Sequence, residues 1–282
     1  MNNFLLVDGS NLLFQMFYGM PSRIVNSSGK AIHGTLGFTG ALLRMIRMTH
    51  PRYLAVLFDS ERNRERLELM PEYKAGRRDF TDMPEEETPF SQIPDIERVL
   101  DVIGGYHKVI STYEVDDIIS SCVVRFAKSY DIVIASQDSD FFQLISEKVK
   151  VLRYRGGDRS IICDTAYVRE RYGVDPCAFV DYKSLVGDPS DNIRGARGVG
   201  PKIAAGLLSD WGDLENVIEH ADKISRPMIR NSIIDDADRL RRNHRVIRLR
   251  GLVSPPFDAP PPFEFITNSV TTAALLREAG VM

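Results

Sequence analysis

Cysteine and histidine are scarce in this chain, and what they leave out narrows its chemistry. Three cysteines in 282 residues, Cys122, Cys163 and Cys177, show no CxxC spacing. That excludes a disulfide framework and a thiolate zinc knuckle and fits a reducing compartment, with all three expected to serve in packing. The five histidines all fall outside the acidic motifs described below, so neither a Ser/His/Asp set nor a histidine-ligated zinc is in view. No window is apolar for long enough to cross a bilayer. The start, MNNFLLVDGSN, has no basic segment, and its apolar run stops at Asp8, so no signal peptide is expected. These absences place the chain in the cytoplasm. A length of 282 residues with 43% hydrophobic content suffices for one large α/β domain, or one domain with a small appended module. No internal repeat is visible.

The charge balance is informative once the acids are sorted. The net charge is −3, from 36 basic and 39 acidic residues. Nine of the acids sit in short motifs, and the remaining 30 face all 36 basic residues. A mildly basic background around a concentrated acidic pocket suits an enzyme that binds a polyanion on its surface and divalent cations in its site.

Four runs read as strands covered on both faces: FLLVD at 4–8, YLAVLFD at 53–59, DIVIASQD at 131–138 and VKVLRY at 149–154. Helical spacing falls between them, over 35–49 and 115–128. Alternating elements of this kind predict a mostly parallel, doubly wound sheet. From about Thr165 the chain turns helical, with glycine-rich turns and many arginines. A proline-rich tail, SPPFDAPPPFEF, is expected to run extended over the surface.

Asp8, Asp59 and Asp138 each end a predicted parallel strand, where open α/β sheets bind ligands. Asp140 follows two residues after Asp138. Glu114, Asp116 and Asp117 open a helix, where the dipole tolerates negative charge, and Asp188 and Asp191 arrive from the second half. Singly, each motif also reads as a cap or turn. Together they gather like charges that only a cation would compensate, and an all-oxygen donor set points to Mg²⁺ or Mn²⁺.

The ordered motifs LLVDGSNLLF, FD before RLELMPEYKAGR, YEVDDII, QDSDFFQL and GDPSDNIRGARGVGPKIA resemble the bacterial and phage 5′ nucleases, a family of flap endonucleases and 5′-3′ exonucleases that includes the N-terminal domain of DNA polymerase I. The resemblance spans roughly residues 4–250. It implies a PIN-like α/β nuclease domain at 1–164 with a helical arch at about 62–98, a helix-three-turn-helix duplex-binding region at 165–250, and the tail at 251–282. It implies two ions: Asp8, Asp59, Glu114, Asp116 and Asp138 around one, Asp140, Asp188 and Asp191 around the other, with Asp117 also in the set. Two such ions about 4 Å apart can activate water and stabilise the leaving oxygen of an in-line displacement.

In the arch, Lys74, Arg77 and Arg66 match positions that grip the reacting phosphate, and Tyr73 is placed to stack on a base. Arg194, Arg197, Gly198, Gly200 and Lys202 belong to the duplex-binding turn, whose carbonyls in the family also hold K⁺. The chain departs from the family pattern in five places. The segment RDFTDMPEEETPFSQIP is longer and more acidic than in polymerase-linked members. Arg194 and Arg197 replace two prolines, Ile203 replaces a threonine, and Ser139 of QDSD stands where many relatives carry a lysine.

The resemblance implies cleavage of DNA with 5′ flaps or 5′ ends, in replication or repair at the nucleoid, by a monomer beside a DNA polymerase acting in trans. Two alternatives stand next to this reading: a catalytically silent DNA-binding paralogue, and a PIN-like or RNase H-like ribonuclease. A haloacid-dehalogenase phosphatase is excluded, because VDGSN has no second aspartate two residues after Asp8.

Overall fold

In a computed structural model, residues 2–59, 64–76, 80, 83–84, 87–111, 113–251, 253–265 and 270–282 are described. Six strands, β1 (Asn3–Asp8), β2 (Tyr53–Asp59), β3 (Tyr106–Ile110), β4 (Asp131–Ala135), β5 (Val149–Arg153) and β6 (Ile161–Cys163), form one sheet in the order β3-β2-β1-β4-β5-β6. Every pairing is parallel except β5 with β6. The sequence-based reading found four of the six. It missed β3, an edge strand whose YHKVI is half polar and largely exposed, and three-residue β6.

Helices cover both faces, so the central strands are apolar throughout. Helices α1 (Gly9–Gly19), α2 (His33–Thr49), α3 (Arg64–Leu69), α4 (Ile93–Ile103), α5 (Val115–Phe126) and α6 (Thr165–Tyr172) are followed by α7 (Phe179–Val186), α8 (Pro201–Trp211), α9 (Leu214–Glu219), α10 (Pro227–Ile247) and α11 (Thr272–Glu278). Leu5, Val7, Leu54 and Val56 pack under α1, α2 and α4 on one face. Phe4, Leu6, Leu57 and Ile134 face α5 and, beyond it, the C-terminal helices. A two-residue hairpin, β7 (Gly187–Asp188) with β8 (Ile193–Arg194), links α7 to α8.

Strand order reverses direction between β1 and β4, and in open α/β sheets that switch point opens a crevice at the carboxyl ends of the strands. Asp8 stands there as the last residue of β1. Asp138 is a correction to the predicted strand end: β4 stops at Ala135, and Asp138 caps a short 3₁₀ turn, accepting a bond from the Asp140 N–H at 2.8 Å.

The tail holds the fold more tightly than expected of a surface run. Phe257 stacks on Phe126 and meets Phe4 and Tyr106 edge-on. The Phe263 N–H donates to the Arg52 carbonyl at 2.8 Å. Beyond the prolines α11 docks on α2 and α4, burying Leu275 and Leu276. Cys177 is also a correction, since its side chain is exposed while Cys122 and Cys163 are buried. Among the described residues no helix is long and apolar enough to cross a membrane. Leu276 is fully buried, so Leu276→Ala is expected to cost about 2 to 5 kcal/mol in urea unfolding; a loss near zero would show that α11 is not part of the cooperative fold.

Candidate metal and nucleic-acid site

At the switch point three strand and helix ends converge. The Asp8 carboxylate accepts from the Asn11 N–H at 3.0 Å and from Ser136 Oγ at 2.9 Å. Asp59 accepts from the Val115 N–H at 2.7 Å, which ties the end of β2 to the first turn of α5, while its own N–H donates to Ser10 Oγ at 2.8 Å. Asp116, in that turn, lies near Asp8 and Asp138. Burial, then the nearby Asp59, pushes the Asp8 carboxyl up to about 7, against the pull of the Asn11 and Ser136 donors. Burial, then Asp138 and Asp8, raises Asp116 well above the usual carboxylate range.

The second half supplies Asp188 and Asp191 through a tight backbone crossing. A Cβ on Gly195 would stand 2.3 Å from the Leu185 carbonyl oxygen, and one on Gly187 2.4 Å from the Gly195 nitrogen, so the hairpin closes only with glycine at both positions. Asn243 of α10 braces it, donating to the Arg194 carbonyl at 2.8 Å.

Within the second group of acids lies a cation that the sequence-based reading missed. Lys183, 6% exposed, reaches from α7 to bond Asp140, and Asp188 at 2.5 Å. Burial works against its ammonium, but Asp140, Asp138 and Asp188 outweigh that and raise its pKa. Burial pushes Asp140 up to about 7 in spite of this partner. Asp188 is more open, and Lys183 and Ser190 together hold it below its ordinary value although burial opposes them. The signal was available: a lysine on the core face of VDYKSLVGD.

Arg66, 3% exposed, bonds Glu114, and its Nη2 meets Asp117 at 2.9 Å. The same Asp117 oxygen accepts from the Arg250 N–H at 2.9 Å. Arg66 therefore ties Glu114 to Asp117, and Asp117 also anchors the chain after α10. Tyr73 is buried among Met70, Val180, Ile193, Val246 and Ile247.

Lys74 does face the crevice. Its backbone is left-handed (φ 56°), its N–H donates to the Asp191 carbonyl at 3.1 Å, and its ammonium lies 3.2 Å from Glu114 Oε1 and 4.8 Å from the centroid of the Tyr73 ring. Arg77 lies outside the described residues. Arg194 at the end of β8, Arg197 and Gly198 in the turn before α8, and Lys202 in the first turn of α8 are exposed, and Gly200 is half-buried. Gly198 adopts φ 80°, and a Cβ there would meet Met228 at 2.7 Å.

Among the described residues no three Asp, Glu, His or Cys side chains are drawn close enough to hold an ion as they stand. These carboxylates bond Asn11, Ser136, Lys74, Arg66 and Lys183. The donor set fits a hard divalent ion, being oxygen only and of one sign.

A sheet with acids at its switch point, a basic segment leading into the crevice and a helical module carrying a glycine-rich turn together define an α/β nuclease-like class. Comparison with known proteins narrows this. Residues 3–173 match the 5′-3′ exonuclease N-terminal resolvase-like domain, and residues 174–260 the 5′-3′ exonuclease C-terminal SAM fold; the chain belongs to the 5′-3′ exonuclease family. It is 37% identical over 244 residues to DNA polymerase I of Deinococcus radiodurans, covering 85% of this chain and 24% of the relative. It is 32% identical over 232 residues to a 5′-3′ exonuclease of Aquifex aeolicus, covering 80% and 75%. The chain thus spans about a quarter of the DNA polymerase I relatives it matches. In fold it is similar to T5 5′-exonuclease with bound zinc (TM-score 0.72, 23% identity, 88% and 89% covered). The catalytic core of Rad2 with DNA substrate is also similar (0.62, 14%, 99% and 86%).

The raised carboxyls predict a pH signature. A carboxyl whose folded pKa lies above its unfolded value stabilises the fold at low pH, and that contribution is lost as pH rises through the folded value. For Asp8 and Asp140 the loss falls between the usual carboxylate range and about 7; Asp188 has the opposite sign and is spent below that window. In EDTA the melting temperature should therefore fall from about pH 5 to about pH 8, and Mn²⁺ should raise it more at the higher pH. An equal Mn²⁺ shift at both would show that these acids do not take the ion.

Proposed function

We propose that the chain is a structure-specific 5′ nuclease that hydrolyses DNA phosphodiester bonds, as a 5′-3′ exonuclease and a 5′-flap endonuclease, with two divalent ions. The observation that carries this is the convergence of Asp8, Asp59, Glu114, Asp116 and Asp138 at the β1/β4 switch point in a chain of this family. These five would hold one ion, and Asp140, Asp188 and Asp191 the other, Mg²⁺ or Mn²⁺ serving in both. Bound there, the ions supply charge neutralisation at the phosphate and a water acidic enough to attack it.

The chain's own side chains do the rest. Lys74, fixed by its left-handed backbone and its bond to Asp191, aims a positive charge at the crevice where a scissile phosphate would sit. Arg66 and Asp117 keep α5, α3 and the segment after α10 in register behind it. Arg194, Arg197 and Lys202, with the bare backbone of Gly198 and Gly200, would meet the duplex backbone, and the carbonyls of that turn would hold K⁺. Boundaries at 1–164, 165–250 and 251–282, with an arch at about 62–98, follow from this reading. Action on replication or repair intermediates beside a DNA polymerase fits the relatives named DNA polymerase I. A silent paralogue would have no use for all nine acids.

Asp138→Ala should abolish cleavage of a labelled 5′-flap DNA while binding survives; cleavage at the wild-type rate would sink the site. Two lysines then separate chemistry from docking. Lys74→Ala should slow saturated single-turnover cleavage by roughly 10² to 10³ fold with little change in affinity. Lys202→Ala should weaken binding and flatten the log-log salt slope by about one unit at unchanged saturated rate. The reverse pattern would overturn both assignments.

A further inference from the structure

Two of the proposed ligands, Asp138 of the first group and Asp140 of the second, stand on one loop that the sheet does not hold. The last ladder residue of β4 is Ala135, opposite Val7 of β1 and Leu152 of β5, so the strand register ends before Asp138 is reached. Packing does not fix the loop closely either. Between it and α1 lies a cavity whose lining includes Asn11, Gln15, Ser136, Gln137 and Tyr154.

Hydrogen bonds take over that task, and three of them converge on Gln137, which is half-buried. Its N–H donates to Asn11 Oδ1 at 3.0 Å, its carbonyl accepts from Arg153 Nη2 at 2.8 Å, and its side-chain Nε2 donates to the Tyr154 carbonyl at 2.5 Å. Successive residues at a strand end point to opposite faces. Accordingly the Arg153 guanidinium lies over Phe142 on the α5 side, 5.7 Å from the ring centroid, whereas Tyr154 packs in the layer of α1 and α2. The loop is gripped from both faces of the sheet. Gln15 of α1 donates to the same Tyr154 carbonyl at 2.8 Å, so the Gln137 amide is not needed to satisfy that oxygen. Its constraint falls on the loop to which it belongs.

We infer that Gln137 is a positioning residue: its side-chain bond to the Tyr154 carbonyl sets where Asp138 and Asp140 stand relative to Asp8, and so lets both groups of acids take their ions. This role presupposes the two-ion nuclease reading and deepens it. Groups that orient metal ligands from outside the ligand set change metal affinity about 10- to 100-fold when removed. Gln137 acts through the backbone, which places it at the lower end of that range.

The test compares Gln137→Met, which keeps the side-chain length and removes the donor, with Gln15→Met, which makes the same change on the other donor to that carbonyl. In EDTA each should melt within about 4 °C of the wild type, the scale of one hydrogen bond, and bind a 5′-flap DNA within about twofold, since neither change alters charge. Mn²⁺ binding to the free protein, followed by calorimetry, should weaken about tenfold in Gln137→Met and stay within about twofold in Gln15→Met. The Mn²⁺ concentration for half-maximal flap cleavage should move by the same factors. Should Gln137→Met melt lower than that, Gln137→Asn, whose amide is too short to reach Tyr154, takes its place with the same expectation. Unchanged Mn²⁺ affinity at position 137, or an equal loss at positions 15 and 137, would overturn the inference. A wild type that binds Mn²⁺ but cuts no 5′-flap DNA would refute the nuclease reading, and the Mn²⁺ comparison would still decide this one; a wild type that takes up no Mn²⁺ would refute both.

Discussion

Crowding of negative charge at the carboxyl ends of parallel strands is the constraint on which the rest of this structure depends. Asp8 and Asp59 are put there by the strand register, since β1 and β2 run parallel with Asp8 opposite Leu57. Asp138 is held beside them by its capping turn and by the Ser136 hydroxyl, which bonds both the Asp138 N–H, at 3.1 Å, and Asp8. Isolated carboxylates in such a place would be costly to ionise. The fold answers with cations from distant segments: half-buried Lys74 and buried Arg66 against the first group, buried Lys183 against the second.

Those cations also couple the parts of the molecule. Arg66 joins α3 to α5 through Glu114 and Asp117, and reaches the Val246 carbonyl of α10 at 3.1 Å. Asn192 donates to the Glu72 carbonyl at 2.9 Å, and Lys74 to Asp191. The segment entering the proposed arch is therefore anchored on the C-terminal helical half, not on the sheet alone. A DNA that engages the glycine-rich turn and a 5′ arm that passes Lys74 would act on one connected frame. Because removing a single partner leaves a buried charge uncompensated, this frame is sensitive to single substitutions in a way that exposed ion pairs such as Arg241 with Glu215 are not.

The tail extends the same logic to stability. Phe257 and Phe263 close the open ends of two apolar layers, and α11 covers α2 and α4 with Leu275 and Leu276. The Asn26 side chain donates to the Val281 carbonyl at 3.1 Å, fastening the last residues to the loop before α2. The helix that follows the proposed arch, α4, is thus packed from both sides.

Much of this was legible in the amino-acid order. Unbroken apolar strands alternating with amphipathic helices specify a doubly wound sheet, because only a strand buried on both faces can afford no polar alternation. Acids at the ends of such strands mark a crevice, and the ordered motifs mark the family. What sequence could not settle were contacts between segments far apart in the chain. Nothing local distinguishes Asp117, turned back onto Arg66 and Arg250, from Asp116 beside it; one residue on a helix rotates the side chain by about 100°. Nothing local shows that Tyr73 is enclosed by α7 and α10, or that Lys183 pairs with Asp140 and Asp188. Whether a charged side chain faces substrate or neutralises a neighbour is decided by which elements pack against it, and that was decided only by the tertiary structure.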